Sequence, residues 1–433
     1  MDADILETEI QILIINKWYF LNYEWPILTP RFNHRSEIKP TKVNLRIIKD
    51  ILLQQLGYIP VFYFLSVLFT SCEYPGPYKE IDKGIILLYQ IISDKPGSDM
   101  NEFIPYTSFY EVYKKFWITN RIKLNKIINK DIKELFSNIK IRLLSANIYN
   151  PDGFKNSTLF IDGHDSKIKY YNPDIVRSTL YSHKFKRPVI RTQTVNDVNN
   201  MVIFISSSER CSMGNDGSMF LKMNLHKKMH IADCLAADGG YTLFVQKFKE
   251  ISISEGYDFT VKNMSCPIRK ENKVKLTLEE ESYNKKFGAF RSGNETIYSN
   301  LASKFERFNN NKALVQVTDI NVYNTQFKVA VLLMNMWCFI EKNNVKVEPH
   351  HMLWYNDDFE FPTKISRINY VFLDKAKNDK NYNEMINLQE KYRNMSFNNN
   401  DIEIEIDSEP EEEITLKHKK VKKPIIFIKN LDR

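Results

Sequence analysis

The chain has 433 residues, 43% hydrophobic and 13% aromatic, with a formal net charge of +8. That length exceeds one ordinary domain and that apolar content excludes a wholly disordered polymer, so two domains and a tail are expected. The five cysteines (Cys72, Cys211, Cys234, Cys266 and Cys338) are scattered and never form a C-x-x-C pair. This argues for reduced thiols and against a zinc ribbon.

The N-terminus (Met1-Asp-Ala-Asp) is acidic, unlike a signal or transit peptide. Residues 1–150 are expected to be mainly helical, because Ile10–Leu21 and Leu45–Leu56 carry apolar residues at helical spacing. The apolar stretches Ile59–Phe69 and Val329–Ile340 are shorter than the roughly 20 residues of a membrane span, so buried helices are expected there. An apolar helix at Ile85–Ile92, a break at Pro96-Gly97-Ser98 and an aromatic, basic helix from Pro105 to Trp117 fit a DNA-reading helix-turn-helix. They fit a plain helical hairpin equally well. Lys114 and Lys115 end that second helix, and Arg121, Lys123, Lys126, Lys130, Lys133, Lys140 and Arg142 continue a basic stripe. Such a stripe is either a solvated face or a contact surface for a phosphate backbone.

Residues 151–365 change character. Strand-like runs appear at Thr158–Ile161, Val189–Val195, Met201–Ser206 and Cys234–Ala237, and the turn-rich Asn196–Asn200 joins the middle two as a hairpin. Helical spacing follows at Leu278–Lys286, Glu295–Phe308 and Asn324–Asn343. The first run ends on Asp162-Gly163 and the last on Asp238-Gly239, each an acid that a strand would present at its end. Glu295 opens a helix. A strand, a hairpin, a crossover to a second acid-bearing strand and then helices make the element order of a ribonuclease-H-like α/β domain. The three acids are far apart in sequence, so only tertiary folding could assemble them. For any single Asp-Gly an ordinary turn is the commoner explanation.

Two strand-borne aspartates and a helix-borne glutamate suit divalent metal, Mg2+ or Mn2+, in phosphodiester chemistry. Hard cations prefer carboxylate oxygen, and in-line displacement at phosphorus builds charge on oxygens that such ions neutralise. Asp162, Asp238 and Glu295 are the expected catalytic residues and metal ligands, with Asp165 and Asp216 as weaker candidates nearby. The segment His183–Gln193 follows the first acid, and Lys184, Lys186, Arg187 and Arg191 are positioned to contact DNA phosphates. It is equally an ordinary charged edge that discourages sheet aggregation. His226-Lys-Lys-Met-His230 has the spacing of a zinc-protease helix but lacks its glutamate, so a surface helix is expected. His350-His351 has no metal-spaced partners, and no phosphate-binding glycine loop occurs.

From about residue 376 to 433 the chain is polar, with an acidic run at Asp401–Glu413 and a basic cluster at Lys417–Lys423. A disordered tail carrying a nuclear address is expected, or else a merely charge-patterned one.

At these residues the chain resembles the DDE-superfamily endonuclease domain of Harbinger-like transposases. The matches are Phe160-Ile-Asp162-Gly, Tyr181-Ser-His-Lys184 with Gln193 and Asp197, Gly214 to Asp216, Ala237-Asp238-Gly-Gly-Tyr241, and Tyr283-Asn284 with Arg291, Glu295 and Phe305. Leu332-Leu-Met-Asn335 stands where the family has Leu-His-Asn, with Met334 in place of histidine, and the Gly214–Asp216 spacing is compressed. The resemblance spans roughly residues 80–365. It implies a ribonuclease-H-like fold, metal-dependent DNA cleavage and an N-terminal helical region that binds DNA. The alternative is a transposase-derived DNA-binding protein without catalysis. Expected partners are DNA and either a homo-oligomer or a DNA-binding accessory protein. No membrane is expected, and the nucleus is the expected compartment.

Overall fold

Apolar side chains surround the segment Ile320–Asn343 on nearly every side, and it folds into a 24-residue helix through the middle of the molecule. A mainly apolar helix with this little solvent face is stable only when buried, and its buried polar residues, such as Asn324 and Asn335, find hydrogen bonds there. Asp319 caps it by accepting from the Asn321 and Val322 amides, and Asn344 ends it in the left-handed conformation. The computed structural model describes residues 3–17, 45–361 and 387, apart from residues 77, 171–175, 213, 271–274, 293–295, 311–314 and 358. Met1–Tyr370 form one compact unit. Apart from residue 387, the charged tail with its basic cluster lies outside the described residues.

The N-terminal part is helical, with helices at Ala3–Lys17, Arg46–Leu56, Glu80–Ser93, Arg121–Phe136 and Ile139–Tyr149. Two more, Tyr58–Tyr63 and Tyr106–Tyr113, run on as π-helical turns at Phe64–Leu68 and Lys114–Thr119. The first apolar stretch is thus buried helix, and no single helix among the described residues is long and apolar enough to cross a membrane. The change of character near residue 150 falls inside one compact unit. Arg142, expected on the basic stripe, is instead buried against Asp233, with Nε–Oδ1 at 2.7 Å and Nη2–Oδ2 at 2.6 Å. A buried guanidinium requires such a partner, and this one comes from the strand region.

The described strands are β1 (Leu159–Tyr170), β2 (Tyr181–Ser182), β3 (Arg187–Asp197), β4 (Val202–Ile205), β5 (Glu209–Arg210), β6 (Leu235–Ala236), β7 (Met264–Ser265) and β8 (Val315–Val317). They form one mixed sheet, and the protein is α/β. β3 is antiparallel to β1, β2, β4 and β5, whereas β6 runs parallel beside β1 and β7 parallel beside β6. The β3–β4 hairpin turns where expected. Asp197 accepts from the Asn199 and Met201 amides, and Asn200 takes the positive φ of 64°. The free edge of β4 is covered by the long helix, whose Asn335 side chain bonds both the amide and the carbonyl of Val202 at 3.0 and 2.7 Å. A side-chain amide thereby serves as the missing strand partner.

One expectation about β1 is corrected. Asp162 does not end a strand, because β1 continues through Gly163 to Tyr170. Gly163 stays extended because β3 pairs with it through Gln193, so the ladder overrides the local turn preference.

Candidate functional site

Alternation along β1 sorts its side chains between two faces. Phe160 packs on Phe290, Asp162 faces Arg291, His164 stacks on Tyr298 and Ser166 bonds Tyr323. Successive outward positions on this face therefore meet the helices Leu278–Ser292, Thr296–Lys304 and Ile320–Asn343 in turn. On the other face, Gly163 lies under Asp216 and Asp165 pairs with Arg191.

The parallel register brings the two expected aspartates together. Leu159 pairs with Leu235 and Phe160 with Ala236, so Asp162 and Asp238 each stand two residues beyond the last pair. The ladder ends there because Asp238 accepts from the Gly239 amide at 2.6 Å and starts a 3-10 turn, Gly239–Phe244. Ligand sites of open α/β sheets lie outside the carboxyl ends of parallel strands, which describes Asp238 beyond β6 but not Asp162, because β1 runs on to Tyr170. The guanidinium of Arg291 reaches both acids, 3.9 Å from Asp162 Oδ1 and 3.5 Å from Asp238 Oδ2.

Asp162 is held from two sides. Its Oδ1 accepts from the Gly163 amide at 2.9 Å, and its carbonyl accepts from the Tyr298 hydroxyl at 3.0 Å. Burial pushes the Asp162 carboxyl above its ordinary value, and the charges of Asp238 and Asp216 push the same way. The Gly163 amide and Arg291 oppose this and do not cancel it. Burial likewise holds the His164 imidazole down at about 4, which keeps it neutral, and its Nε2 has no hydrogen-bond partner among the described residues.

Glu295 lies outside the described residues, in the gap between the Leu278–Ser292 and Thr296–Lys304 helices. Among the described residues no three His, Cys, Asp or Glu side chains group closely enough to hold a metal ion as they stand. Asp165 is engaged elsewhere, because Arg191 grips it at two points, 2.6 and 2.8 Å. Arg191 also reaches Asp216 at 2.9 Å, so it faces acids rather than solvent.

The other basic candidates face outward. Lys184, Lys186 and Arg187 are exposed, the two lysines on the turn between β2 and β3 rather than on a strand face. Lys186 adopts a positive φ of 54° there. Lys114 is exposed and Lys115 half-buried, while Phe109, Val112, Phe116 and Trp117 of the same segment are buried in the core. Of the basic stripe, Lys123, Lys126, Lys130, Lys133 and Lys140 remain exposed, Lys130 and Lys140 beside Glu134 and Glu9, and Arg121 pairs with Asp319. His226 is not on a surface helix as expected, but is buried with Nε2 2.7 Å from Glu255.

Sequence reasoning had no role for Tyr298, and Gln193 and Tyr241 entered only as parts of short motif matches. Tyr298 reaches Asp162 across 136 residues and Gln193 reaches Tyr241 across 48. No local pattern carries contacts of that range. Comparison of the chain with protein-family models, with curated proteins and with solved structures returned no match.

Proposed function

We propose that the protein is a metal-dependent DNA endonuclease of transposase type, with Asp162 and Asp238 as carboxylate ligands and Glu295 as the third acid. The observation that carries this reading is the β1–β6 register, which sets the two aspartates at one level where the parallel ladder ends. The strand order supports a ribonuclease-H-like core: β4, β3 and β1 antiparallel, then β6 and β7 parallel on the far side of β1.

Two carboxylates at one level offer hard oxygen donors of like charge to a divalent cation, and Arg291 reaches both, at 3.5 and 3.9 Å, where that cation would sit. A bound Mg2+ or Mn2+ would neutralise charge developing on the phosphodiester oxygens. Asp162 and Asp238 would hold it, and Tyr298 fixes the backbone of Asp162. Arg291 balances the acids in the metal-free protein. Lys184, Lys186, Arg187, Lys114 and Lys115 supply positive charge for the DNA backbone. The basic cluster Lys417–Lys423 is proposed as the nuclear address, and loss of nuclear accumulation on deleting residues 414–433 tests it.

Plasmid nicking in Mg2+ or Mn2+ tests the enzymatic reading. Asp162→Asn should abolish nicking and leave DNA binding intact, and undiminished nicking by that variant rules the assignment out. Arg291 favours a second reading, a transposase-derived DNA-binding protein without catalysis, because its guanidinium already occupies the place between the two carboxylates. That reading expects salt-sensitive DNA binding and no nicking in either metal.

A further inference from the structure

The turn joining β2 to β3 interleaves aromatic and basic side chains: Tyr181, His183, Lys184, Phe185, Lys186 and Arg187. Its frame is fixed. Tyr181 pairs with Pro188 and Ser182 with Arg187, and the buried Ser182 hydroxyl accepts from the Phe185 amide at 3.4 Å. Lys186 closes the turn at a positive φ of 54°, a conformation that a lysine adopts less readily than a glycine. The rings face outward. Tyr181 is 41% exposed, His183 is exposed and Phe185 is half-buried. Tyr181 and His183 meet edge to face, with centroids 5.4 Å apart and planes at 85°, so each keeps a ring face free of the other.

Charge at the turn is of one sign. The run Tyr181–Arg191 contains no acid, and among the described residues Lys184, Lys186 and Arg187 form no ion pair. Lys184 Nζ lies 5.4 Å and Lys167 Nζ 5.6 Å from the centroid of the Phe185 ring, which brings two ammonium groups to one aromatic face. Ammonium and guanidinium groups bind phosphate, and open rings stack on flat heterocycles. A nucleotide strand presents both. In a duplex the base faces are covered by neighbouring pairs, so only unpaired nucleotides can stack on these rings.

We propose that the β2–β3 turn is a contact for single-stranded DNA, in which Tyr181 and His183 stack on unpaired bases while Lys184, Lys186 and Arg187 hold the adjoining phosphates. This deepens the DNA-binding reading of the protein and rests on it, but it requires no metal ion. An acidic peptide would engage the cations and leave the ring faces unused.

Fluorescence anisotropy of the full-length protein with a labelled oligothymidylate, and with a duplex of the same length, tests it in the presence of EDTA. Tyr181→Ala and His183→Ala should each weaken single-strand binding by about fivefold or more, and duplex binding by less than about twofold. Tyr181→Phe keeps the ring and should bind as wild type does, and thermal unfolding checks that each variant is folded. Wild-type affinity for the oligothymidylate in both alanine variants, or equal losses on both DNAs, overturns the stacking role and leaves the DNA-binding reading standing. No binding of either DNA by the wild-type protein overturns both.

Discussion

Arg142 and Asp233 form a two-point ion pair, both side chains almost completely buried, that joins the helical region to the start of β6. Asp233 also accepts from the Thr158 hydroxyl at 2.8 Å and the His230 amide at 2.9 Å, and Thr158 immediately precedes β1. The pair therefore helps hold β6 beside β1, and with it Asp238 beside Asp162.

Removing one partner strands a charge in the interior. Asp233→Ala should cost about 3–5 kcal/mol of stability. Urea unfolding of the variant against wild type measures this, and a loss below about 1 kcal/mol would mean that the pair is dispensable.

Asp162 should lower the stability of the metal-free fold at neutral pH. Its folded-state value is raised, so the folded chain holds the proton more tightly than the unfolded one. Ionising it costs stability as pH rises from the ordinary 3.8 through the raised value, and the cost persists above. Asp162→Asn should therefore melt higher than wild type at neutral pH, with the difference vanishing below the ordinary carboxylate range. Melting curves at several pH values decide this, and no gain at neutral pH counts against it.

Gly217, next to Asp216, has no room for a side chain. An added Cβ would lie 1.9 Å from Phe244 Cδ2 and 2.4 Å from Cγ, so the whole ring must move. Gly217→Ala should cost about 1–3 kcal/mol through overpacking. Combining it with Phe244→Ala should give less than the sum of the two separate losses, because the clash is then gone. Additive losses would show that the steric overlap is not the cause.

DNA affinity should depend on the β2–β3 turn. If Lys184 and Lys186 each neutralise a phosphate, reversing their charge should make the log–log salt dependence shallower by about 0.9 per lysine. Arg191→Lys should leave the slope unchanged, since Arg191 is committed to Asp165 and Asp216. A slope unaffected by the double reversal removes this turn from the interface.

Local patterning made much of the framework legible. The apolar run Val189–Val195 lies in β3 and Met201–Ser206 brackets β4, and the Asn- and Asp-rich stretch between them is their turn. The long apolar helix was also legible, starting four residues earlier than its expected Asn324 because Asp319 caps it. The strand end at Asp162 was not, since Gly163 favours a turn in isolation and only β3 keeps it extended.

The sequence by itself determined the long helix, the β3–β4 hairpin and which residue types are available for chemistry, because periodicity and turn preference act over a few residues. Tertiary structure alone decided which charges meet. Arg142 and Arg191 look alike in sequence to the exposed Lys130 and Arg187, yet each is drawn to an acid, Asp233 or Asp165, that lies far along the chain. The same holds for Asp162, Asp238 and Arg291, which come together only through the parallel pairing of β1 with β6 and the packing of one helix beside them. Burial makes unpaired charge costly, so the fold selects these partners by proximity in space, which sequence separation does not encode.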